Sequence, residues 1–265
     1  MQDRIEEVIV VLHGKGTRLR CELNPQMIIA KDVEATIALS KLVLYNAFPN
    51  VSTGVNNRIK IQPGENAAWI TVSVSTGSYE LDELYQEILH ELSETHKVKE
   101  PEKSFVLEPH LPTLHAMISL RNSWKVSFDL EHSLADLLGF DKKKILVGDK
   151  RHMGEQLVNI NNLHSLIVMC DVARPSYLNG RLTSYILNYP VYGAPGAKIV
   201  YAPSHLTYVP LVNNVISTIN VWLKDQSLGD VDIRKETVEV ELRLRLRHSH
   251  NKNLDANGNV IKRKK

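Results

Sequence analysis

From Thr237 to Arg247 the chain alternates without a break. Val238, Val240, Leu242, Leu244 and Leu246 stand against Glu239, Glu241, Arg243, Arg245 and Arg247. A period of two predicts a strand over 237–247 with one face buried and one face wet, because a helix would scatter the five apolar side chains around its axis. Just upstream, 215–223 (Val-Ile-Ser-Thr-Ile-Asn-Val-Trp-Leu) is rich in β-branched residues and predicts a second strand. Further strands are predicted over 8–12, 18–23, 35–45, 58–62 and 67–74, separated by clusters such as His13-Gly-Lys-Gly16 and Pro49-Asn-Val-Ser-Thr-Gly54 that carry turn chemistry.

The period then changes. Leu81, Leu84, Tyr85, Ile88, Leu89 and Leu92 recur at helical spacing, so an amphipathic helix is predicted within about 78–97. Ser78 is its predicted N-cap, with Glu80, Asp82 and Glu83 where the helix dipole favours negative charge, and Pro101 bars any continuation. Strands resume at 113–120 and 124–129. A short helix over 133–138 is closed by Gly139, and 141–151 reads as a basic loop. Strands follow at 156–160, 165–172, 182–187, 197–201, 207–212, 215–223 and 237–247. Beyond Arg247 the chain is polar and ends on basic residues, which predicts a disordered basic tail over 248–265. The expectation is an all-β fold: a single jelly-roll β-sandwich over 1–247, one domain, with the helix as an insertion at one end.

Composition narrows the function classes. The net charge is +2, with 43% hydrophobic and 23% charged residues, which is ordinary for a globular protein and too balanced for a basic nucleic-acid binder. Cys21 and Cys170 lie in strand-like runs, where buried free thiols are the plain expectation, although a disulfide stays open. The charged start (Met-Gln-Asp-Arg-Ile-Glu-Glu) lacks the apolar core of a signal peptide, and no run reaches the length of a membrane span. On that reading the sequon Asn50-Val-Ser52 is silent.

Candidate chemistry is sparse. His90 and His96 are six residues apart, whereas a helical zinc pair needs four to share a face. His248 and His250 have no further ligand nearby. Gly14-Lys-Gly-Thr17 lacks the spacing of a phosphate loop and reads as a hairpin turn. There is no Gly-x-Ser-x-Gly elbow and no cysteine in a nucleophile signature, so no catalytic residue, metal or cofactor is expected. Trp69, Trp124 and Trp222 fall in predicted strands as core or interface anchors. Two basic clusters (Lys142-Lys-Lys144 and Lys150-Arg151) read as a solvated loop. The third, Lys262, Arg263, Lys264 and Lys265, reads equally as a solvated terminus or as a contact to nucleic acid or to a capsid interior.

Several segments together resemble the minor capsid (penton) protein of Polinton (Maverick) virus-like transposons and adintoviruses. They are Leu44-Tyr-Asn-Ala-Phe-Pro-Asn-Val51 with Val55-Asn-Asn-Arg-Ile59, Trp69-Ile-Thr-Val-Ser-Val with Gly77-Ser-Tyr-Glu-Leu81, and Val126-Ser-Phe-Asp-Leu130 with Leu137-Leu-Gly-Phe140. Val158-Asn-Ile-Asn161, Ser165-Leu-Ile-Val-Met-Cys-Asp171, Tyr208-Val-Pro-Leu211, Ile219-Asn-Val-Trp-Leu223 and the closing strand continue the series. The segment Ser227-Leu-Gly-Asp-Val-Asp-Ile233 departs from the glycine-rich stretch that such proteins carry before the last strand. The resemblance implies a homopentamer at capsid vertices, beside a double jelly-roll major capsid protein, in a virion assembled inside the host cell. In such a shell the basic tail, from its charge and predicted disorder, is a candidate contact to the packaged genome or the capsid interior.

Within that expectation, Glu239, Glu241, Arg243 and Arg245 are candidate subunit-interface residues, because the strand face begins acidic and ends basic. They would pair with opposite charges on an adjacent strand or on a neighbouring subunit; a solvated sheet face is the plainer alternative. The alternative function is a domesticated or host jelly roll that binds carbohydrate or peptide. A cupin-like enzyme is disfavoured because the one His-x-His lies beyond the last strand.

Overall fold

The computed structural model describes residues 4–160 and 163–248. The chain forms two compact units, one built from residues up to Ala47 and from Leu163 onward, the other from the stretch between them. The first begins with β1 (Arg4–Lys15), β2 (Arg18–Ile28) and β3 (Val33–Tyr45). The second holds β4 (Arg58–Gln62), β5 (Ile70–Ser73), α1 (Leu81–His90), β6 (Phe105–His110), β7 (His115–Leu120), β8 (Lys125–Ser127), α2 (Ala135–Leu138), β9 (Ile145–Leu146) and β10 (Arg151–Met153). The first unit resumes with β11 (Ser165–Cys170), β12 (Ser176–Leu178), β13 (Arg181–Thr183), β14 (Tyr185–Pro190), β15 (Lys198–Tyr201), β16 (Val209–Pro210), β17 (Val215–Lys224) and β18 (Thr237–His248).

The first unit is a jelly roll. One sheet runs β1-β18-β3-β15, with β16 also paired to β3, and the other runs β14-β11-β17-β2. Counting only these eight principal strands in chain order, the sheets read first-eighth-third-sixth and fifth-fourth-seventh-second, the double Greek key of that architecture. All pairings are antiparallel. Alternation decides the inner faces: Val238, Val240, Leu242 and Leu244 of β18 are buried, as are Ile37, Leu39, Leu42 and Leu44 of β3. From the other sheet, Ile219, Val221 and Leu223 of β17 and Leu166, Val168 and Cys170 of β11 are buried. Each such side chain contributes about 1.5–3 kcal/mol relative to exposure.

The second unit has its own core. The sheets β5-β4-β8-β9 and β10-β7-β6 pack with α1, whose Leu81, Leu84 and Ile88 are buried together with Phe105, Ile118, Val126 and Phe128. The Phe128 and Phe140 rings stack at 5.1 Å. Residues 48–162, expected as part of the sandwich with a helix inserted over about 78–97, form a compact unit with a core of their own.

Other expectations are corrected. Ser78 is not the N-cap: its hydroxyl donates to the Phe48 carbonyl (2.5 Å), and α1 starts from Glu80, whose N–H is accepted by the Glu83 carboxylate (2.9 Å). Residues 156–160 are not a strand, since Val158 and Asn159 donate to the carbonyls of Leu114 and Leu137 in two separate places. The strand expected at 207–212 shortens to β16, and by Val212 the chain has left β3, the Val212 N–H donating to the Val172 carbonyl (2.9 Å). The basic loop at 141–151 contains β9 and the start of β10. β6 carries Pro109 and gave no strand signal. The closing strand runs one residue further than its alternation, to His248. The tail from 249, with His250 and with Lys262, Arg263, Lys264 and Lys265, lies outside the described residues.

Candidate functional site

The charged face of β18 lies at the middle of its sheet, between β1 and β3. The register sets Glu239 beside the end of β3, and Lys41 Nζ reaches its carboxylate at 2.7 Å. That contact holds the Glu239 carboxyl below its ordinary range and the Lys41 ammonium above its own. Ser40, at a break in the β18–β3 register, donates its hydroxyl to Glu241 Oε1 (2.7 Å). On the other side Glu7 of β1 accepts from Arg245 Nη2 (2.8 Å) and Nε (3.0 Å), and Arg243 Nη1 lies 3.8 Å away. The Arg245 guanidinium sits 3.9 Å over the Tyr208 ring, whose hydroxyl donates to Glu7 at 3.2 Å. The hydrogen bond from Arg245, foremost, keeps the Glu7 carboxyl below the usual range. Glu239, Glu241, Arg243 and Arg245 are therefore brought together and partnered by adjacent strands of the same chain. Pairs this exposed contribute little to stability, because solvent screens them.

β1 differs. It is twelve residues long, pairs with β18 on one side without a register shift, and among the described residues ends the sheet on the other. Edge strands invite pairing unless they are short, bulged, proline-bearing or charged. The other edges of the jelly roll show such devices: β15 has four residues, β14 pairs across a register shift and ends in Pro190, and β2 carries Pro25, outward Arg and Glu residues and a shift against β17. β1 has no proline and no bulge, although it carries Arg4, Glu6, Glu7 and Lys15; on its outer face Ile5, Ile9 and Val11, each more than half exposed, share the stripe with Glu7. This free edge and its apolar outer stripe form the surface best suited to associate with another chain. Sequence reasoning missed it, although a signal was present: the run 8–12 has no polar position to give to water.

The remaining candidates stay apart from this surface. His90 and His96 are both exposed, and no group of three His, Cys, Asp or Glu side chains among the described residues could hold a metal. Both cysteines are free thiols, and burial pushes the Cys170 thiol up to about 12. Asn50 of the sequon is buried: its amide nitrogen donates to the carbonyls of Tyr79 (2.7 Å) and Ile160 (3.1 Å), so its side chain is committed to the fold. Of the tryptophans, Trp124 is buried, Trp222 half-buried and Trp69 exposed. No helix among the described residues is long and apolar enough to cross a membrane.

No protein-family model matches the chain, and no curated protein matches it. A solved structure does: the crystal structure of the selenomethionine-labelled mavirus penton protein superposes with a TM-score of 0.51 at 10% sequence identity, covering 91% of this chain and 99% of that one. The fold is penton-like. The likeness spans nearly the full length of both molecules, so it takes in the inserted unit as well as the jelly roll. At such low identity it concerns the fold, and no residue role passes across with it.

Proposed function

We propose that the chain is a structural capsid protein, a penton that associates as a ring of five copies at the vertices of an icosahedral shell of the Polinton/Maverick type. The observation that carries this reading is the eight-strand connectivity in its two sheets, shared in fold with a viral penton protein across nearly all of both chains. The series of segments from Leu44 to Arg247 supports the narrower assignment to that group of elements. A closed ring needs a patch on each copy that meets a different patch on the next. The long edge of β1, without proline or bulge and with Ile5, Ile9 and Val11 on its outer face, supplies one of them. The role is assembly without catalysis, beside a double jelly-roll major capsid protein, with Lys262, Arg263, Lys264 and Lys265 as candidate contacts to packaged DNA. Native mass spectrometry, with and without co-expressed major capsid protein, tests the reading. Complexes of five 30.0 kDa chains are expected; a monomer under both conditions contradicts it.

A further inference from the structure

A groove of about 370 Å³ in the inserted unit gathers four cationic side chains, Lys103, Arg121, Lys150 and Arg151, beside two carboxylates. Its floor follows from strand register: Arg151, Ser119 and Val106 lie opposite one another across β10, β7 and β6, on the face away from Leu107 and Ile118. Lys103, Arg121 and Lys150 stand around them. Lys103 is paired with Glu100, but Arg121, Lys150 and Arg151 have no ion-pair partner among the described residues. The elements that carry them are tied together. Arg121 N–H donates to the Ser104 carbonyl (2.9 Å), Leu120 N–H to the Lys150 carbonyl (3.0 Å) and Ser123 N–H to Asp149 Oδ1 (3.0 Å). The turn after Arg121 holds Asn122 and Ser123 in the left-handed region (φ 56° and 59°), a conformation that costs side-chain-bearing residues about 1–3 kcal/mol each and concentrates at functional sites. The positive field reaches His152 behind the sheet, whose ring is held below its ordinary value by burial first and then by Lys150 and Lys144.

We infer that this groove binds a tetrahedral oxyanion carried on a sugar, a sulfated glycan, with Arg121, Lys150 and Arg151 as the donors. Guanidinium groups suit the planar, bidentate recognition of such oxyanions. The same groove holds Glu108 and Asp149, whose carboxylates would accept sugar hydroxyls but would repel a continuous phosphodiester track. That favours a short glycan over nucleic acid. The assignment is independent of the capsid reading, because it uses only side chains of the inserted unit.

Calorimetric titration of the full chain with a sulfated heparin tetrasaccharide tests it, alongside the unsulfated sugar, inorganic sulfate and a DNA duplex of similar charge. Binding of the sulfated sugar is expected, with competition from inorganic sulfate and none from the unsulfated sugar. Arg121→Gln and Arg151→Gln should each weaken it about tenfold, while Arg20→Gln, on the jelly roll, should leave it unchanged. Lys150→Ala is a further variant, on an exposed side chain that bears no core packing, and should show the same loss. Circular dichroism of each variant confirms that it folds. The inference is overturned if the sulfated sugar does not bind, if the duplex binds more tightly than the sugar, or if folded groove variants bind as the unchanged protein does.

Discussion

β1 and β18 are neighbours of equal length, twelve residues each, paired from Arg4 opposite His248 to Lys15 opposite Thr237. They distribute polarity in opposite ways. β18 is central and turns a row of charges outward, and strands on both sides partner that row. β1 is at the edge and turns Ile5, Ile9 and Val11 outward around Glu7, with a strand on one side only among the described residues. A charged outer face at the centre of a sheet is thus satisfied within the chain, and it is the apolar edge beside it that remains available to a partner. Of the two partners expected for the charged face, an adjacent strand or a neighbouring subunit, the structure shows the first.

The largest effect expected from breaking this contrast is on the inner face of β18. Leu242 is fully buried, so Leu242→Ala should lower unfolding free energy by about 2–5 kcal/mol in denaturant titration. The outward substitution Ile9→Lys on β1 should change monomer stability by no more than about 0.5 kcal/mol, since it fills no core position. Equal costs at the two sites would mean that β1 is not a solvent-facing edge.

How much of this was legible beforehand depended on whether the signal was local. β17, β18 and β3 announced themselves through alternation and β-branched residues, and the helix through its 3.6 period, because each pattern is complete within its own segment. β6 and β10 are short, and β6 contains a proline, so neither shows a period. Sheet order was beyond reach. Nothing near Arg245 in the sequence indicates that its partner is Glu7, 238 positions away, or that β18 is central and β1 terminal. The boundaries of the inserted unit were hidden for the same reason: it shares strand and turn chemistry with the jelly roll, and what separates it is its own core.

A smaller effect sharpens the charged side of the comparison. Glu7 joins β1 to β18 through Arg245 and Arg243, and its folded carboxyl lies below its unfolded value. The sign follows: its stabilisation is present above the unfolded value of about 4.3 and is lost as pH falls through the lower, folded one. Glu7→Gln should therefore be less stable than the unchanged protein near neutral pH, by about 1 kcal/mol at most because the pair is exposed. Thermal melts of the two should converge in acid. A constant difference at all pH values would show that the carboxylate charge is not what Arg245 uses.

The central claim is that the free edge and apolar outer stripe of β1 drive association. Sedimentation velocity on the unchanged protein and on Ile9→Lys, at matched concentration, tests it most directly. The account predicts a multimer for the first, and for the second a monomer with an unaltered melting transition. Assembly of Ile9→Lys to the same species as the unchanged protein would contradict it.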